Sequence, residues 1–146
     1  MKKLTFRAFY ILNCIVALIF GFLIYIFLRK GTNFQVFFAY WDLSFHNFSN
    51  TTFMGSNFLK YYLVDGLWCY SFVFAASCIW PPKIKNLKLL FISGFTFGLL
   101  WEILQAFQVT SGTFDVLDLF MYLSASLLAV GIIYFRIKRE NNEKNY

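Results

Sequence analysis

Four stretches of about twenty apolar residues, each bounded by charged or helix-breaking residues, constrain this chain more than any other feature. A helix rises about 1.5 Å per residue, so a run of that length crosses a hydrocarbon core roughly 30 Å thick. The stretches cover residues 8–28, 62–80, 89–107 and 115–135. The first carries no charge and ends at Arg29-Lys30. Its basic start (Lys2, Lys3, Arg7) resembles a signal peptide. The run is too long for one, however, and it lacks a small-residue cleavage site, so it is expected to persist as a span. The second stops at Pro81-Pro82, which cannot continue a helix. The fourth is followed by a charged tail, residues 136–146.

The expected fold is therefore an all-α membrane protein, a four-transmembrane-helix bundle forming a single membrane domain over residues 1–146. Composition agrees: 60% of the 146 residues are hydrophobic and 14% are charged, against about 25% charged in soluble domains. Disordered, collagen-like and disulfide-rich secreted classes are excluded on the same grounds. The net charge of +6 does not signal nucleic-acid binding, because the basic residues flank apolar runs and form no single patch. Lys over Arg, with abundant Phe, Ile, Asn and Tyr, is also what an AT-rich coding sequence produces. Cys14, Cys69 and Cys78 sit inside the apolar runs without CxxC spacing, as packing residues do.

Charge bias orients the bundle. The side bearing both termini holds ten basic residues and the other side holds Arg29, Lys30 and Lys60, which places the termini in the cytoplasm. Arg29-Lys30 is the discordant pair and is expected to snorkel outward. Ala17 with Gly21, Gly94 with Gly98, and Ala125 with Ala129 recur at helix-contact spacing. The GxxxG match at Gly94 is read as packing within one chain in preference to a dimer face. Residues 31–61 form the long outer loop, where Phe34, Phe37, Phe38, Trp41 and Phe45 fall on one helical face. That pattern predicts a short interfacial helix in the first outer loop. Two glycosylation sequons there, at Asn47 and Asn50, are read as fortuitous unless the source is eukaryotic. His46 has no catalytic arrangement around it and is assigned an interfacial hydrogen-bonding role.

The acidic residues carry the functional information. Glu140 and Glu143 belong to the tail and Asp42 to the loop, whereas Asp65, Glu102, Asp115 and Asp118 all lie toward the outer ends of spans. Glu102 sits five residues below the end of span three, about 7.5 Å into the core. An ionised carboxylate there costs a few kcal/mol unless it is compensated. No Lys, Arg or His falls inside the four stretches, so Glu102 is expected to be protonated, hydrogen-bonded, open to a water-filled cleft or bound to a cation. Gln105 shares its helical face, and Asp115 and Asp118 share another. Asp115, after Ser111-Gly112-Thr113, also has the position of a helix N-cap. Asp65 precedes Gly66 and is read either as a helix-start residue or as a fourth member of the group. Trp68 and Trp101 stand beside the acidic positions and are read as aromatic-belt residues.

The stretch from Phe97 to Phe107, FGLLWEILQAF, followed by GTFDVLD from Gly112 to Asp118, resembles the VanZ-like family of small multi-span membrane proteins. Members show an E-x-x-Q pair late in one span and a D-x-x-D pair opening the last. Glu102 with Gln105 and Asp115 with Asp118 take those places, and the resemblance covers roughly residues 91–131. The family's loop Arg has no counterpart in residues 110–114. Its later Asn and Gly are Tyr122 and Ala125 here. The resemblance implies a protein of the bacterial inner (cytoplasmic) membrane and cell envelope. The founding member is linked to antibiotic resistance, at a low level, toward the glycopeptide teicoplanin. No reaction comes with the family name.

Three functions compete. The preferred one is a non-enzymatic envelope protein in which Asp65, Glu102, Gln105, Asp115 and Asp118 line an outward-facing acidic cleft. Their oxygen and amide groups suit a divalent cation such as Mg²⁺ or Ca²⁺, or the amine of an envelope component or glycopeptide. The second is an integral membrane enzyme acting on a lipid-linked or phosphorylated substrate, with Glu102 as acid/base. It lacks a nucleophile, a His partner and a phosphate-binding Arg cluster, so no catalytic residue is assigned. The third is a small proton-coupled carrier, for which no inverted repeat or broken helix is evident. The bilayer is the expected partner, and no cofactor is assigned beyond the divalent cation.

Overall fold

The computed structural model describes residues 2–28, 40, 57–110 and 112–143. Helix α1 spans Lys2–Leu28. A π-helical turn, Phe58–Leu63, then leads directly into α2, Val64–Ile79. At Trp80 the backbone turns extended (φ −104°, ψ 103°), as the residue before a proline must. Pro81-Pro82 and a short 3₁₀ turn, Ile84–Asn86, follow. Helix α3 spans Leu87–Ala106 and α4 spans Val116–Glu143. The described residues contain no strand. Four helices are long and apolar enough to cross a membrane, so the chain is an all-α, multi-pass bundle.

Helix α2 is the hub, packing against α1, α3 and α4. It is also the most enclosed span, with 44% of its most apolar window inside the protein against 17–22% for the others. Composition explains the difference. Lipid-facing surfaces can be Leu, Ile or Phe, but close helix approach requires small residues, and α2 carries Gly66, Cys69, Ser71, Ala76 and Ser77 at buried positions. Toward the end bearing both termini, here the terminal end, Tyr10, Phe74, Leu90, Ala129, Ile133 and Ile137 join in one core cluster. Tyr70 and Phe74 pack at 4.7 Å between ring centres, and Phe72 stacks on Phe97 at 4.3 Å. The opposite, distal end holds the second cluster, Cys69, Tyr122 and Ala125.

The glycine pair of α3 is spent inside this bundle. A Cβ at Gly94 would strike the Val73 side chain and lie 2.9 Å from Ser126 Oγ, and one at Gly98 would collide with the Tyr122 ring. Intrachain packing is therefore what the GxxxG spacing encodes. Cys69 adds a polar tie at the same crossing. Its thiol donates to the Gly94 carbonyl at 3.2 Å and lies 3.2 Å from Ser126 Oγ. All three cysteines are free; Cys69 is buried, whereas Cys14 and Cys78 are only half-buried.

Three boundaries differ from those expected, the first being the start of α1 at Lys2 in place of residue 8. Span two begins at Phe58 and takes in Lys60, which is buried with 7% exposure. The expectation that no basic residue lies inside a span is thereby corrected. The π turn continues the helix through a single charge that an apolar count treats as a boundary. Helix α4 likewise runs on through the charged tail to Glu143. Its final turns contain strong helix formers and an Arg139–Glu143 pair at i,i+4, with Nε to Oε1 at 3.2 Å. The interfacial helix expected in residues 31–61, the two sequons and His46 lie outside the described residues, apart from the exposed helical Tyr40.

Candidate functional site

The start of α2, the end of α3 and the start of α4 meet at the distal end, which brings the four carboxylates to one level of the bundle. Glu102 lies on the inward face of α3 and is 1% exposed. Its Oε2 accepts the backbone N–H of Asp115 at 3.0 Å, and its Oε1 accepts the Tyr122 hydroxyl at 3.2 Å. The Asp115 amide is one of the donors a helix leaves without an intrahelical acceptor at its N-terminus. Glu102 therefore sits at the positive end of the α4 dipole, which favours an anion there. Hydrogen bonding is the compensation Glu102 receives. With 1% exposure it does not open to a cleft, and that part of the expected geometry is corrected.

Asp115 is the N-cap of α4. Its Oδ1 accepts the Leu117 N–H at 2.9 Å, and its Oδ2 accepts the Tyr62 hydroxyl at 3.1 Å. The cap thus ties α4 to the π turn that precedes α2. Asp118 lies one turn into α4 and Asp65 in the first turn of α2, both half-buried. Tyr62, Asp115, Glu102 and Tyr122 form one hydrogen-bonded chain, with Asp65 and Asp118 in the first turns of their helices at the same end of the bundle.

Gln105 does not turn toward Glu102. Its Nε2 donates to the Thr113 carbonyl at 3.2 Å and its Oε1 accepts the Trp101 indole N–H at 3.0 Å. It fastens the loop between α3 and α4, where Gly112 adopts φ +138° and packs so closely that a Cβ would lie 2.7 Å from the Gln105 amide. Gln105 is thus a loop-positioning residue, set apart from the carboxylates. Trp68 and Trp101 remain about half exposed, as belt residues would be.

Tyr62 and Tyr122 were not among the residues the sequence singled out. Spacing could have found both. Tyr122 stands seven residues after Asp115 and four after Asp118, and Tyr62 three before Asp65, so each shares its acid's helical face.

Metal binding is not what the geometry favours. Among the described residues, no group of three or more His, Cys, Asp or Glu side chains is placed to hold a metal ion. Glu102 and Asp115 direct their oxygens at protein donors instead. Ca²⁺ needs six to eight oxygens at about 2.3–2.6 Å. Hydrogen-bond donors are a different case. An ionised carboxylate offers about four lone-pair sites, so two protein donors on Asp115 leave room for others.

Fold and site together define a class: a small four-helix membrane bundle with a carboxylate–phenol network closing one end. Comparison with protein-family models, with curated proteins and with solved structures found no match.

Proposed function

We infer that this is a VanZ-like integral membrane protein of the bacterial cell envelope, non-enzymatic, with both termini in the cytoplasm and the carboxylate network facing outward. In this reading the network binds the amine of an envelope component or of a glycopeptide, and expression lowers sensitivity to teicoplanin. The observation that carries it is the gathering of Asp65, Asp115 and Asp118 at the end of the bundle where Tyr62, Asp115, Glu102 and Tyr122 are joined by hydrogen bonds. These three residues are half-buried, with the Asp118 Oδ1 turned inside, whereas Glu102 is enclosed as a whole. An amine is favoured over a divalent cation because donors can share the remaining lone pairs without the multidentate oxygen shell that a cation demands.

Roles then divide. Asp65, Asp115 and Asp118 meet the ligand, Glu102 positions the start of α4, and Gln105 shapes the adjoining loop. The test uses purified protein and teicoplanin as the probe, alongside susceptibility of a bacterium expressing each variant. Wild type should bind and lower sensitivity, whereas Asp118→Asn should lose about tenfold in affinity, the worth of one charge-assisted hydrogen bond. Equal binding and equal susceptibility for both proteins would remove the carboxylates from any such role.

A further inference from the structure

Helices α1 and α4 meet toward the terminal end, where Tyr10, Ile133 and Ile137 share a core cluster and the Arg136 guanidinium lies 5.1 Å over the Phe9 ring. Toward the distal end they are separated by a groove of about 400 Å³, lined by Val16 of α1, Gly66 and Tyr70 of α2, and Ser124 and Leu128 of α4. Its lining is mainly apolar, and Val16, Ser124 and Leu128 are exposed. All of these residues belong to membrane-spanning helices, so the groove opens sideways into hydrocarbon, where water is not the available filler.

Two features indicate the occupant. The first is shape. From Leu63 to Tyr70 the groove follows seven residues of the second span, about 10 Å, an open apolar furrow that one hydrocarbon chain can follow. The second is position. The distal end of the groove is formed by Leu63, Gly66 and Met121; Tyr62 stands four residues before Gly66 and Asp118 three before Met121, so both share the helical faces that line it. A chain lying in the groove therefore delivers its polar end to an acidic cluster.

We propose that the groove seats one hydrocarbon chain of an amine-bearing membrane lipid, whose headgroup amine is taken up by Asp65, Asp115 and Asp118. This rests on the amine-binding role inferred above and names its ligand class: an amphiphile held by both ends. The full-length protein is to be reconstituted in nanodiscs of equal phosphatidylethanolamine and phosphatidylglycerol with identical chains, and its retained lipids read by native mass spectrometry. Wild type should keep one lipid per chain, with phosphatidylethanolamine preferred about tenfold. Ser124→Phe and Val16→Trp fill the groove from opposite walls at exposed positions and should each strip the lipid, whereas Ser124→Ala should keep it. Asp118→Asn should retain a lipid but lose the preference. Retention at the wild-type level in both filled variants overturns the proposal even if Asp118→Asn abolishes teicoplanin binding. A dimer that the filled variants dissociate also overturns it, because the groove would then seat a second copy. Lipid lost from the filled variants together with an unchanged headgroup preference in Asp118→Asn overturns the amine role of the carboxylates instead.

Discussion

Glu102 accepts two hydrogen bonds of different kinds, and its variants should separate them. The Asp115 N–H is a fixed donor, whereas the Tyr122 hydroxyl can donate or accept. Gln at position 102 accepts from the amide with its oxygen and donates to the phenol with its nitrogen. Glu102→Gln should therefore change thermal unfolding in detergent little. Glu102→Leu leaves both buried partners unmatched at about 1–3 kcal/mol each and should lower the midpoint clearly. Tyr122→Phe removes one donor and should fall between them. A Glu102→Gln protein as unstable as Glu102→Leu would mean that the charge itself, interacting with the α4 dipole, outweighs the hydrogen bonds.

At the scale of elements, α3 is placed by what it lacks. Gly98 lets the α3 backbone lie against the Tyr122 ring, so the same contact that packs α3 on α4 aims the phenol at Glu102. Gly98→Ala should cost about 1–3 kcal/mol through overpacking and displace the phenol as well. Gly131 is the control, because a Cβ there meets nothing within 4 Å. Gly131→Ala in the middle of α4 should be neutral or stabilising by up to about 1 kcal/mol. Paired thermal-denaturation curves check both. The loop after α3 adds a backbone case. Gly112 combines φ +138° with a tight approach to Gln105, so Gly112→Val should destabilise the α3–α4 connection and loosen the Asp115 cap beside it.

For the molecule as a whole, the remaining variable is which way the bundle sits in the membrane. In the proposed orientation, which the ten-to-three division of basic residues motivates, the Lys83–Lys88 connection is cytoplasmic and the α3–α4 loop external. Single cysteines introduced at Lys85 and at Thr113 in a cysteine-free background should react accordingly. Thr113→Cys should label with an impermeant reagent in intact cells, and Lys85→Cys only after permeabilisation. The reverse pattern would turn the carboxylate network toward the cytoplasm and remove its access to an external glycopeptide. Cys69 should be replaced by Ala or Ser with care, since its thiol ties α2 to both α3 and α4.

The sequence by itself determined the class of fold, because a bilayer leaves few options. An apolar run of about twenty residues must satisfy its own backbone, and the helix does so within one segment. The break at Pro81-Pro82 and the cap at Asp115 were legible for the same local reason. Each depends on residues within a turn or two of one another. Other features were settled by packing between helices, which no run of residues in one helix specifies. Only the tertiary structure decided that Glu102 faces inward to the start of α4, that Tyr62 and Tyr122 are its network's donors, and that Gln105 turns away to the loop. The helical run through Lys60 ahead of α2 and the extension of α4 to Glu143 escaped the sequence for a different reason: charges end an apolar count without ending a helix. Hydrophobic length fixes how many times the chain crosses, and the fit of Gly94 and Gly98 against α2 and α4 fixes which polar groups then meet.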